Sequence, residues 1–175
     1  MLGWRIWRLR GDSLQSWTVR HPWGVGENRA RCLARWHCPF SPGPGCHCGL
    51  WAVFHLEGCL RRGHADSSER ACVFGLVRAW GELAIHGTEG FRAEKATVAC
   101  VFTDRIWDRS LPSYPRQQFS FRHWLRSSSL RFDAPRAGSS RLTQLSAVAS
   151  RYGVPVASLR DALDNGLLSE LGVQA

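Results

Sequence analysis

The chain has 175 residues, 44% of them hydrophobic, with a formal net charge of +9 and a pI near 10.0. That content supports a packed core and excludes a wholly disordered polypeptide, and no run approaches the ~18 apolar residues of a membrane span, so no membrane partner is expected. Lys95 is the single lysine, so nearly all the positive charge is arginine, the better bidentate partner for phosphate; this favours an anionic partner such as nucleic acid, although a GC-rich coding bias produces the same excess.

Met1 to Arg10 mixes Trp, Ile and Leu with arginines and lacks the apolar run of a secretory signal, which predicts a cytoplasmic location. Gly3 to Arg10 and Ser13 to Arg20 read as two strands joined by a tight turn at Gly11-Asp12, an N-terminal β-hairpin. His21-Pro22-Trp23-Gly24 breaks the pairing. Arg29 to Ala34 then alternates arginine with Ala30, Cys32 and Ala34, the pattern of a short strand with one buried face.

That strand leads into Cys32 to Gly49, which places four cysteines and two histidines in a stretch too rich in Pro and Gly for a regular helix. In a cytoplasmic chain the cysteines are expected to be reduced thiols, and their odd total of seven argues against a simple disulfide framework. A structural zinc ion takes four thiolate or imidazole donors in a tetrahedron, and Cys32, Cys38, Cys46 and Cys48 supply such a set, with His37 or His47 as replacements for one of them. Cys46 and Cys48 form C-x-C where zinc knuckles use C-x-x-C, and the alternative is a cluster of small buried hydrophobes at a loop base. Cys59, Cys72 and Cys100 are expected to be core residues rather than ligands.

Leu50 to Phe54 is apolar and short, and periodicity does not choose between a buried strand and a helical turn. Gly58 to Arg70 is a polar connection. Cys72 to His86 and Phe91 to Phe102 are apolar arms joined by Gly87-Thr88-Glu89-Gly90, the strongest hairpin signal in the chain, and Gly75 and Gly81 predict a bulge or a close backbone approach. Glu82, His86, Glu89, Arg92 and Glu94 gather near the hairpin tip. Carboxylates and an imidazole do acid–base work only where a pocket collects them, and exposed hairpin ends also carry charge for solubility.

Residues 108–141 change character. Arg109, Arg116, Arg122, Arg126, Arg131 and Arg136 alternate with Phe119, Phe121, Trp124 and Phe132, a mixture that stacks bases and neutralises phosphate, or else a tether that docks its aromatics on the main domain. Leu142, Leu145, Val148 and Ala149, then Val156, Leu159, Ala162 and Leu163, recur at helical spacing on either side of Gly153-Val154-Pro155, which predicts two short helices with a turn between them.

The fold class expected is therefore α+β: a curled antiparallel sheet or partial barrel with a Cys/His loop over 1–107, an Arg/Ser/Pro-rich linker over 108–141, and a small C-terminal helical unit over 142–175. Two resemblances accompany this reading. G-W-R-I-W at Gly3–Trp7, C-x-C-G-L at Cys46–Leu50 and W-G-E-L-A-I-H-G-T-E-G-F-R-A-E at Trp80–Glu94 resemble a group of uncharacterised proteins encoded in actinobacterial genomes and their phages; the likeness implies a domain boundary near Phe102 and no mechanism. A-S-R-Y-G-V-P-V-A-S-L-R-D-A-L-D-N at Ala149–Asn165 resembles the helix-turn-helix of DNA-binding proteins, with Ala149, Gly153 and Leu159 at its small, turn and packing positions. That likeness implies a groove-facing surface around Ser158 and Arg160, although Asp161 and Asp164 put negative charge there.

The functional expectation is a zinc-stabilised nucleic-acid-binding or regulatory protein, with Arg122, Arg126, Arg131, Ser158 and Arg160 as candidate contacts. The alternatives are a protein-interaction module and an enzyme using the hairpin-tip Glu/His cluster.

Overall fold

Residues 1–33, 38–59, 72–104, 140–164 and 168 are described, in a computed structural model. Strand β1 (Leu2–Arg10) turns at Gly11, whose φ of 59° suits the twist of a two-residue hairpin loop, into the short β2 (Ser13–Ser16), with Arg10 opposite Ser13. Pairing ends at Ser16 rather than running on to Arg20, because Arg20 adopts a left-handed φ of 49° and the Ser16 amide donates instead to the His21 carbonyl. Strand β3 is only Asn28–Arg29, although the Ala30 amide still donates to the Glu94 carbonyl at 2.7 Å. Leu50–Val53 resolves as a strand, β4.

The long arms β5 (Cys72–His86) and β6 (Gly90–Phe102) form the expected hairpin, with His86 opposite Gly90 and Gly87 at φ 52° in its loop. Gly90 belongs to the strand and not to the turn. A Cβ there would lie 2.2 Å from the Ala52 carbonyl oxygen, so only glycine lets β4 come alongside. Gly81, at φ 77°, marks a register shift between Trp80 and Leu83, and a Cβ on Gly75 would stand 2.1 Å from the Cys100 oxygen.

The sheet is α+β in context and mixed in direction. β1 pairs antiparallel with β2 and β5, β5 with β6, and β6 with β4; a single contact of β4 with β1, Trp4 opposite Val53, brings the strands round into a partial ring. Its two faces carry two apolar clusters, as the two-residue period of a strand requires: Val73 and Val77 of β5 look one way, Phe74 and Leu76 the other.

Helix α1 (Ser140–Tyr152) covers the first cluster. Leu145 and Val148 are fully buried among Trp7, Leu14, Phe91 and Val101, and the Tyr152 hydroxyl accepts from the Leu14 amide at 3.0 Å while donating to the Trp23 carbonyl at 2.7 Å. The chain then forms β7 (Val156–Ala157), parallel to β6, and α2 (Leu159–Asp164), whose Leu159 and Ala162 join Trp4, Phe74 and Phe102 in the second cluster. The turn expected at Gly153-Val154-Pro155 is present, with Gly153 at φ 64°, but Val156-Ala157, expected to open the second helix, is a sheet strand, and the helix that follows is described over Leu159–Asp164.

Arginine is not confined to the surface. Arg8, Arg92 and Arg141 are buried. Arg5 donates to the Trp51 carbonyl and to Ser16 Oγ and lies over the Trp23 ring; its burial lowers the guanidinium to about 10, against a smaller opposing effect of Cys59.

Candidate metal centre

Three strands deliver the cysteines. The Ala30 to Glu94 hydrogen bond steers the chain past β3 toward Cys32, and the register that sets Leu50 opposite Ala93 and Trp51 opposite Arg92 fixes Cys46 and Cys48 just before β4. The Sγ atoms of Cys32, Cys38, Cys46 and Cys48 all lie within 4.8 Å of one another, with Cys32 3.6 Å from Cys38 and 3.7 Å from Cys46. A tetrahedron of thiolates at ~2.3 Å from zinc has S···S edges of about 3.8 Å, so these separations match a single shared ion. No disulfide joins any of the seven cysteines.

The loop is shaped for the cluster. Gly43 packs directly on Cys38, where an added Cβ would meet Sγ at 2.7 Å, and its amide donates to Cys48 Sγ at 3.2 Å. Backbone N–H donation of this kind favours the thiolate over the thiol. Burial acts to raise Cys48 and is outweighed by the Ser41 hydroxyl and the Gly43 amide, which leave it lowered to about 7. Ser41 Oγ makes no hydrogen bond of normal geometry, so the amide is the firmer of those two influences. Cys38 is pushed up to about 12, chiefly by hydrogen bonding to the Cys46 and Cys32 sulfurs, as expected where several thiolates would share a small space without a cation. Four soft donors that repel one another when ionised, held together by glycine-dependent packing, fit a divalent ion such as zinc.

Behind the loop stands Arg92. Its NH1 donates to the carbonyls of both Cys46 and Cys48, the latter at 2.9 Å, and its Nε donates to His86 Nε2 at 2.8 Å. His86 stacks on Trp51 with centroids 4.7 Å apart, and the Arg92 guanidinium lies 5.4 Å from the Trp51 ring. Gly49, at φ 123°, has no room for a Cβ, which would fall 2.8 Å from that of Arg92.

Of the predicted ligands, the four cysteines converge, His37 lies outside the described residues, and His47 is exposed with its carbonyl accepting from Trp51 Nε1. Cys59 and Cys100 are core residues, and Cys72 packs against the second cluster. At the hairpin tip the Glu82 backbone amide donates to Glu94 Oε2 at 3.2 Å, and the His86 ring is engaged by Arg92 and Trp51. Among the candidate nucleic-acid contacts, Arg122, Arg126 and Arg131 lie outside the described residues. Ser158 caps α2 by accepting from the Asp161 amide at 3.0 Å, and Arg160 is exposed. Sequence reasoning missed Gly43 and the role of Arg92; an arginine at the start of an apolar strand arm was the available sign, and its place opposite Trp51 is seen only in the register. Among the described residues no helix is long and apolar enough to cross a membrane. No protein-family model, curated protein or solved structure matches the chain.

Proposed function

We propose that this is a zinc-stabilised binding protein whose ligand is nucleic acid. The observation that carries the first half is the convergence of Cys32, Cys38, Cys46 and Cys48. Four protein thiolates complete a tetrahedral shell and leave no position for substrate, so the metal's part is to hold the loop against β4 and β6 and not to perform chemistry. The net charge of +9, carried almost wholly by arginine, supports the second half, with Arg10, Arg20, Arg31, Arg78 and Arg160 exposed. Arg122, Arg126, Arg131, Ser158 and Arg160 are the contacts this reading names.

Electrophoretic mobility shift with zinc-loaded protein tests it. Retardation of nucleic acid whose log affinity falls linearly with log salt, and weakens for Arg160→Ala without loss of fold, is the expected result. Absence of a shift at low salt refutes it. A second reading, a protein-interaction module, draws on the outer arm of β5, where Trp80, Leu83 and Ile85 are 36%, 37% and 51% exposed. Under that reading Trp80→Ser abolishes partner binding and leaves nucleic-acid affinity, if any, unchanged.

A further inference from the structure

We propose that Arg92 is a positioning residue that couples metal occupancy of the cysteine cluster to the order of the β5–β6 hairpin tip, an inference that rests on the zinc reading of the site. One guanidinium reaches three acceptors on two parts of the chain. NH1 gathers the Cys46 and Cys48 carbonyls, which fixes the backbone of the C-x-C pair and so the spacing of its thiolates, while Nε holds His86 at the base of the hairpin loop. The loop itself contributes little: the Cys46 amide to the Gly43 carbonyl, at 3.3 Å, is its internal backbone bond among the described residues. Gly49 adds an independent sign of design, because its missing side chain is what lets the ligand loop lie on the Arg92 stem.

Arg92 is only 7% exposed. When the ion leaves and the 43–49 loop relaxes, a buried guanidinium loses two acceptors, and a buried charge with unmet donors is costly enough to force rearrangement around it. The groups nearest to hand are His86 and the stacked Trp51 ring, so the disturbance passes into the tip. Coupling of this kind is reciprocal: what the ion contributes to the tip, an intact tip contributes to metal affinity. The proton arrangement is also set, since Nε2 of His86 accepts from Arg92 and the ring proton must sit on Nδ1.

Amide hydrogen exchange on the full chain, zinc-loaded and after chelation, tests the proposal together with elemental analysis and chelator competition. The wild type should hold one zinc, and chelation should raise exchange at 86–92 as well as 43–49, with β1 unaffected. Arg92→Lys keeps the charge but gathers its donors on one nitrogen, where Arg92 engages the two carbonyls through NH1 and His86 through Nε; it should bind zinc about 10–100-fold more weakly, as changes to groups supporting metal ligands do, and its tip should no longer respond to chelation. His86→Phe keeps an aromatic stacking surface on Trp51 and removes the ring nitrogens, including the Nε2 acceptor of Arg92, so it guards against a misfolded Arg92 variant: its zinc stoichiometry should remain at one while the tip response is lost. Zinc affinity of Arg92→Lys within about threefold of wild type overturns the proposal, since that lies below the effect of removing such support. So does a zinc-loaded wild type whose 86–92 exchange ignores chelation, a rise spread evenly into β1, or a tip response that persists in His86→Phe. A wild type that takes up no zinc overturns the reading of the site itself, and the coupling with it.

Discussion

Gly43→Ala offers the sharpest test of the metal centre, because it alters no ligand and no charge. Gly43 does not have a left-handed φ, so alanine suits the backbone and the perturbation is purely steric. The new methyl would stand 2.7 Å from Cys38 Sγ and 2.9 Å from Cys38 Cβ, with the Phe40 carbonyl oxygen at 3.3 Å closing the other side. Ordinary contact begins near 3.5 Å, so the sulfur must retreat by about 0.8 Å. Metal–ligand distances tolerate only about 0.2 Å, and the retreat therefore takes Cys38 out of the shell. Loss of a direct ligand should exceed the ~10–100-fold penalty of disturbing outer support, which at its upper end is about 2.7 kcal/mol. Competition with a chromophoric chelator measures the affinity, and the cobalt(II) derivative reports the number of thiolates through its sulfur-to-metal absorption. Binding within about threefold of wild type, with an unchanged cobalt spectrum, would refute the assignment of Cys38 as a ligand.

Two further outcomes concern the framework. Leu145→Ala, at a fully buried site under Trp7 and Leu14, should cost about 2–5 kcal/mol and lower Tm by roughly 5–15 °C in a single calorimetric transition; two separate transitions would show that α1 does not share the sheet's core. Asp104, whose carboxylate accepts from the Leu159 amide at 2.6 Å, is raised above its ordinary value of 3.8 by burial, which outweighs that hydrogen bond. A raised carboxyl binds its proton more tightly when folded, so its contribution to stability is complete below 3.8 and is lost as pH rises through the folded value. Asp104→Asn keeps an acceptor for Leu159 and cannot titrate. Its stability relative to wild type should climb across that window, read from denaturant midpoints, and a difference independent of pH would contradict the assignment.

What was legible in the sequence was local. Cys32, Cys38, Cys46 and Cys48 announced themselves because thiolate spacing in a Pro/Gly-rich loop has few other uses, and the β5–β6 arms were visible because alternation and a glycine turn act over neighbouring residues. Pairing between distant segments was hidden. Nothing near Leu50 says that Gly90 leaves space for it to be a strand, and Val156-Ala157 reads as the start of a helix until β6 is placed beside it. Arginine misled for a related reason: composition assigns it to the surface, yet Arg8, Arg92 and Arg141 are buried, with Arg92 and Arg141 donating to carbonyls supplied by remote parts of the chain.

The hydrogen bond between Leu14 and Tyr152 spans 138 positions, and this has a consequence during synthesis. By the time Phe102 has been added, the described antiparallel strands of the ring exist, but α1, which among the described residues covers the side bearing Trp7, Leu14 and Val101, has yet to be made. At ~5–20 residues per second, the next fifty residues take a few seconds. For that interval the apolar cluster that Leu145 and Val148 complete lacks their contribution. The cysteine loop, by contrast, is entirely translated early, so metal can be captured while the far side of the ring still waits for its lid.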